Sequence, residues 1–271
     1  MSRHLLVVEG AHDAALFGRL LVARGFQSLS TLEAVPRFWE PTIPRRYPIR
    51  DDLRLDRVIS FPEIYRRNDS EVGIAVANGE SELLRTLRSL LDMLDAPDFD
   101  SIAVILDTDW AQTEAERFAE FRASTAEWND KAVADGRPGF PLTFPNEANS
   151  VTAGPLKVGV YQFPGGGAGG ALEDVLLACA QHSHPILRQA ADDLVLQIHA
   201  EYPADAAPDP MKASRKQSGS AKARCGIIAN VLQPGHSLAV SIRKTPWLPN
   251  VEADVPAVAS VAQFLDELLA N

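Results

Sequence analysis

Ser101-Ile102-Ala103-Val104-Ile105-Leu106-Asp107-Thr108-Asp109-Trp110 is the stretch from which the fold can be read. Five apolar residues, Ile102 to Leu106, run without a break, and β-branched residues are among them. That is the pattern of a strand buried on both faces. Asp107 and Asp109 stand where the strand should end. In open α/β sheets, sites form just outside the carboxyl ends of strands. Two positions apart on an extended chain, the two side chains point the same way. Paired carboxylates repel, and a cation relieves the repulsion; hard oxygen donors favour Mg²⁺ or Mn²⁺. The alternative is a solvated loop, or a helix cap at Asp109 for the run Ala111 to Phe121.

Working outward, Leu5-Leu6-Val7-Val8 reads as a second buried strand. Glu9-Gly10-Ala11-His12-Asp13 follows it, and Ala15, Leu16, Leu20 and Leu21 then recur at helical spacing up to Gly25. Glu9 is placed at a strand tip rather than on a solvated face, and Gly10 permits a turn that other residues resist. Asp13 has an ordinary alternative use in compensating the helix dipole. Val72 to Gly79 predicts a third strand, and the leucines of Ser81 to Leu94 an amphipathic helix capped by Ser81. Lys157 to Phe163 predicts a further strand, followed by the glycine-rich turn Pro164 to Gly170. That turn can approach another backbone or a phosphate closely. It lacks the Lys-Ser/Thr ending of a P-loop. Glu173 and Asp174 then open a helix, where dipole compensation is again the alternative for Asp174.

The alternation of strands and helices predicts an α/β fold with a mainly parallel sheet flanked by helices. Residues 28–68 read as an irregular insertion rich in proline, arginine and aromatics. Arginine with aromatics suits single-stranded nucleic acid. The intermixed acids favour a surface segment closed by internal ion pairs. Asp135 to Pro155 reads as loop, Ala111 to Ala134 and Pro185 to Ala200 as helices, Ser237 to Ile242 as a short strand and Val255 to Leu269 as a closing helix. The expected organisation is one domain, 1–271, with residues 211–271 as a C-terminal extension packed on it.

The chain has 271 residues, 46% hydrophobic and 23% charged, with a formal net charge of −10. That charge argues against coating nucleic acid by bulk attraction, although a local basic patch or a metal can still meet phosphate. The basic patch exists: Met211 to Arg224 carries five positive charges and no acid, with Lys222 entering a helix. A solvated basic loop is the alternative. The two cysteines, Cys179 and Cys225, lie in apolar contexts and predict buried free thiols. Leu5 to Val8 is too short for a signal-peptide core or a membrane span, so a cytoplasmic protein without a membrane partner is expected.

At these motifs the sequence resembles the Toprim superfamily, the metal-binding domain of topoisomerases, bacterial primases, ribosomal-RNA maturation nucleases and the overcoming-lysogenization-defect nucleases. Val8-Glu9-Gly10-Ala11-His12-Asp13 resembles the family's first motif and Ile105-Leu106-Asp107-Thr108-Asp109 its second. The chain is more closely similar to a bacterial group of stand-alone Toprim-like proteins of uncharacterised function. There, aromatic-Pro ends a strand ahead of Gly and Leu-Glu-Asp, as in Phe163-Pro164 and Gly170-Ala171-Leu172-Glu173-Asp174. A Lys-Ala pair opens a later helix, as in Lys222-Ala223. The resemblance implies that Asp107, Asp109 and Glu173 bind Mg²⁺ or Mn²⁺. Glu9 would be a metal ligand or general acid/base, Asp13 a ligand at a second metal, and Lys222 would stabilise charge on phosphate. No tyrosine nucleophile can be placed.

The expected function is a metal-dependent, nuclease-like phosphodiesterase acting on DNA or RNA. The alternative is a non-catalytic nucleic-acid or nucleotide binding module that works with a separate ATPase partner in trans, since no Walker motif exists here. A phosphate-ester hydrolase for small molecules is a third reading.

Overall fold

The structure is a computed structural model that describes residues 1–44, 61–167, 169–202, 204, 209–249 and 252–270. The chain divides into two compact units. The first comprises residues 1–106, 120–161 and 266–271, and the second residues 107–119 and 162–265.

The first unit is built on the aliphatic runs. β1 (Ser2–Val8) leads into helix α1 (Ala11–Ala23), and a three-residue strand β2 (Gln27–Leu29) follows. The hairpin strands β3 (Glu63–Arg67) and β4 (Ser70–Val76) precede helix α2 (Leu83–Met93). β5 (Ser101–Asp107), helix α3 (Glu114–Ala134), the two-residue β6 (Ser150–Val151) and β7 (Lys157–Phe163) complete the sheet region. The strand order is β2-β3-β4-β1-β5-β7-β6. β1 pairs in parallel with both β4 and β5, with Val8 opposite Val76 on one side and Ile105 on the other. β2, β3 and β6 pair antiparallel at the two edges. Leu5 to Val8 and Ile102 to Ile105 are fully buried, as unbroken aliphatic runs in a two-faced sheet should be.

The described parts of segment 28–68, residues 28–44 and 61–68, hold regular structure. The strands β2 and β3 lie within or beside it, and Trp39 is fully buried in a short 3₁₀ turn, Arg37–Thr42. Trp39 packs over Gly73 of β4, where an added Cβ would come within 2.5 Å of its ring. Its indole N–H donates to the buried Glu71 (3.0 Å), which also pairs with Arg66 (2.7 Å). Phe38 stands edge-on to Trp39 and Phe99 with the Arg3 guanidinium above it. Trp39 is core rather than a stacking surface, Phe61 is 51% exposed, and the acid paired with Arg66 lies outside the segment. Arg45, Arg46, Arg50, Arg54, Arg57 and Tyr47 lie outside the described residues.

In the second unit, α4 (Leu172–Ser183), α5 (Pro185–Glu201) and α7 (Gln217–Leu232) pack on one another. The four-residue α6 (Lys212–Arg215) precedes α7, and α8 (Leu238–Lys244) packs on it. α9 (Pro256–Leu269) closes the chain. The strand expected over Ser237–Ile242 is therefore a correction: α8 starts there, with the Ser237 hydroxyl accepting the Val240 N–H. Leu238 and Ile242 are four apart and share a helical face, which a short apolar run hides. Among the described residues, no helix is long and apolar enough to cross a membrane.

Candidate functional site

In the second unit, backbone contacts tie the Asp-x-Asp motif to the start of α4 and to the glycine turn before it. β5 ends at Asp107, which is half-buried. Its Oδ1 accepts the backbone N–H of Leu172 (3.0 Å), the first residue of α4, and its carbonyl accepts from Arg117 Nε (3.0 Å). Thr108 is fully buried, and its hydroxyl finds no hydrogen-bond partner. Asp109 is exposed and takes a left-handed backbone, φ 64°. Aspartate tolerates that region better than most residues.

Asp109 does not cap α3. That role falls to Thr113, whose hydroxyl accepts the Glu116 N–H while Glu116 accepts the Thr113 N–H (2.8 Å). This is a capping box, two unpaired helix-end donors satisfied reciprocally. Asp109 instead forms a bridge with the glycine turn: the Gly170 N–H donates to the Asp109 carbonyl (2.8 Å). Gly169 fits only without a side chain, since a Cβ would meet the Gln112 and Asp109 carbonyl oxygens at 2.4 and 2.6 Å. The close backbone approach expected of this turn is thus made to the loop that carries Asp109.

Glu173 is 3% exposed. Burial raises its pKa, Lys222 pulls it back, and Asp174 and Asp109 push in the same direction as burial. The carboxyl is therefore short of compensating positive charge. Lys222, at the exposed first half of α7, is the cation it feels most. Asp174 accepts the Ala171 N–H (2.9 Å) and serves as the cap acid of α4. Behind Glu173 lies Cys225, whose thiol faces the Glu173 carbonyl (3.8 Å). Burial raises both thiols, Cys179 up to about 12, so neither is a nucleophile at neutral pH. Asp192 of α5 joins Arg188 and Arg224 (2.6 Å to the latter). Sequence reading missed this triad; Arg188 and Asp192, opposite charges four apart on a helix, were its available signal. In the basic run, Arg215 is tied to Asp209 (3.0 Å) and Arg224 to Asp192, while Lys212, Lys216 and Lys222 are exposed.

The first unit holds the other two expected residues at the start of α1. Glu9 is half-buried immediately after β1, and its carbonyl accepts the Gly79 N–H (3.1 Å). Asp13 is buried and accepts the Gly10 N–H (2.6 Å), which is the helix-end role. Gly10 itself has ordinary extended backbone, φ −136°, so its conformation does not require glycine, contrary to expectation.

Asp107, Asp109 and Glu173 carry hard oxygen donors, the kind that Mg²⁺ and Mn²⁺ take. Among the described residues, no three His, Cys, Asp or Glu side chains stand close enough together to hold a metal ion.

The sequence matches the family described as a protein of unknown function, DUF3226, over residues 3–270. The chain belongs to the DUF3226 family. The match runs through both units. Among solved structures, a hypothetical protein from Pyrococcus horikoshii OT3 is similar at 16% identity, with 99% of this chain and 95% of that chain covered and a TM-score of 0.49. No curated protein matches this DUF3226 member.

Proposed function

We propose that this chain is a metal-dependent phosphodiesterase acting on DNA or RNA, with Mg²⁺ or Mn²⁺ held by Asp107, Asp109 and Glu173. The observation that carries the reading is Glu173, a buried carboxyl in the field of Asp109 and Asp174 with one exposed lysine as its nearest charge compensation. A divalent cation would stabilise its ionised form. Support comes also from the resemblance of the Asp-x-Asp and Leu-Glu-Asp motifs to Toprim motifs. Asp109, exposed at a loop, is the ligand with freedom to turn toward the other two.

When bound, the cation would polarise a phosphoryl oxygen and lower the pKa of a bound water. Lys222 would place its charge against the phosphate, and Arg188 and Arg224, locked by Asp192, would hold the positive side of the site rigid. The resemblance also assigns Glu9 to metal binding or acid/base chemistry and Asp13 to a second metal. The test is Mn²⁺ titration followed by cleavage of plasmid, single-stranded DNA and RNA. Saturable Mn²⁺ binding that Asp107→Ala abolishes, with cleavage lost in the same variant, is the expected result. Intact substrates together with unchanged Mn²⁺ binding in Asp107→Ala would sink the reading. Glu9→Gln with full cleavage would remove Glu9 from the chemistry.

A second reading is a non-catalytic nucleic-acid binding module acting with a separate ATPase partner. Lys212, Lys216 and Lys222, exposed in a run without acids, support it. Nucleic-acid binding without cleavage in saturating Mn²⁺ would select it.

A further inference from the structure

A cleft between α2 and the second half of α3 lies wholly within the first unit and uses none of the site residues above. It encloses about 670 Å³, a volume in the range of small-molecule sites. Its walls carry Arg85, Arg88, Lys131 and Arg137 with Asp92 and Asp135, and each of the four cations has one acidic partner. Trp128 also lines it.

The four cations are held in two different ways. Arg88 is fixed: it pairs with Asp92 (2.8 Å), donates to the carbonyls of Pro138 and Gly139 (3.2 and 3.0 Å) and is 18% exposed. Its guanidinium stands 5.8 Å from the centre of the Trp128 ring, and Phe140 supports the indole at 4.7 Å. Arg85, Lys131 and Arg137 instead make local pairs with Glu82, Glu127 and Asp135, and all three cations are more than 60% exposed. Exposed pairs of this kind contribute little to stability. A phosphate, with more charge and more acceptor oxygens than one carboxylate, competes for such cations through charge-assisted bonds. A preset aromatic and guanidinium wall beside exchangeable cations suits a planar ring joined to a phosphate.

We propose that this cleft binds a nucleoside monophosphate, with the phosphate on Arg85, Lys131 and Arg137 and the base against the wall formed by Trp128 and Arg88. The site needs no metal, so the assay is run with full-length protein in EDTA, and its outcome is independent of the phosphodiesterase reading. Calorimetric titration with AMP, inorganic phosphate and adenosine separates the parts. AMP is expected to bind about tenfold or more tighter than either fragment. Lys131→Glu combined with Arg137→Glu, both at exposed positions, is expected to weaken AMP about tenfold at unchanged Tm. No saturable AMP binding at millimolar concentration, or unchanged affinity in that double variant, would overturn the site. AMP binding no tighter than inorganic phosphate would overturn the base-binding wall.

Discussion

The starts of α1 and α4 use the same local device and leave different residues over. In each, the third helical residue is an aspartate that accepts the N–H of the residue before the helix: Asp13 from Gly10 at 2.6 Å, Asp174 from Ala171 at 2.9 Å. This satisfies an otherwise unpaired donor and places negative charge at the positive end of the helix. The second helical residue is where they part. In α1 it is His12, half-buried; in α4 it is Glu173, buried at 3% exposure and shifted toward its protonated form. Local structure accounts for both aspartates. Glu173 accepts its own backbone N–H, and burial still outweighs that bond and the pull of Lys222. The proposed function gives that buried carboxyl a use, as a cation ligand.

The largest expected effect tests that difference directly. Glu173→Gln should lower Mn²⁺ affinity about 100-fold or more, beyond the ~10–100-fold that loss of a supporting partner brings. The same substitution should raise Tm at neutral pH, because it removes a buried charge. Calorimetric titration and thermal melts on one preparation check both. Unchanged Mn²⁺ affinity would leave the two helix starts equivalent.

The next effect contrasts the buried ionisable groups of the two units. His4 of β1 bonds to Ser101 (2.7 Å), and burial pushes it down to about 4. A folded pKa below the ordinary 6.5 means that proton uptake favours the unfolded chain. Its contribution is full above pH 6.5 and is lost as pH falls toward 4, on the order of 3 kcal/mol in all. Glu173 acts with the opposite sign: its raised pKa makes folding take up a proton, so stability rises as pH falls toward the ordinary carboxylate range. Urea denaturation across pH 4 to 7 should show the His4 loss dominating, and His4→Gln should flatten it.

The glycines before the two helices give a third contrast. Gly10 sits at φ −136°, and an added Cβ would find Asp13 Oδ2 at 3.4 Å. Gly170 sits at φ 153°, and its Cβ would strike Asp174 Oδ2 at 2.5 Å. Gly170→Ala should cost ~1–3 kcal/mol and Gly10→Ala no more than about 0.5 kcal/mol, read from denaturation midpoints. The smallest effect is the shared one. Asp13→Asn and Asp174→Asn should each cost about 1 kcal/mol through the cap. If Asp13→Asn also lowers Mn²⁺ affinity, the aspartate of α1 is a ligand as well as a cap, and the two starts differ in a second way.

The strands β1 and β5 were legible because unbroken aliphatic runs have few other uses in a chain of this composition, and β4 and β7 through their short apolar stretches ahead of Gly or Pro. So was Asp107 at a strand end. β2 and β3 were not: Gln27-Ser28-Leu29 and Glu63-Ile64-Tyr65-Arg66-Arg67 carry polar side chains at the sheet edge, where antiparallel pairing replaces burial. Trp39 gave no signal of its own, because the space it fills is made by Gly73, thirty-four residues later. In the site, the residue types were readable and the partners were not. Asp107 meets the Leu172 N–H across 65 residues, and only the folded sheet brings them together. The buried, unpartnered hydroxyl of Thr108, between the two aspartates in sequence, is a property of depth that sequence spacing does not record.

The bond from Leu172 N–H to Asp107 Oδ1 gives the molecule a built-in reporter. An amide at the first position of a helix ordinarily exchanges with solvent quickly, having no partner within its own helix. Here the Leu172 proton is held by the carboxylate proposed as a metal ligand. A cation that recruits Asp107 competes for that oxygen and releases the amide. Leu172 should therefore exchange slowly in the metal-free protein and faster on adding Mg²⁺, so that one backbone resonance reads site occupancy without any substrate.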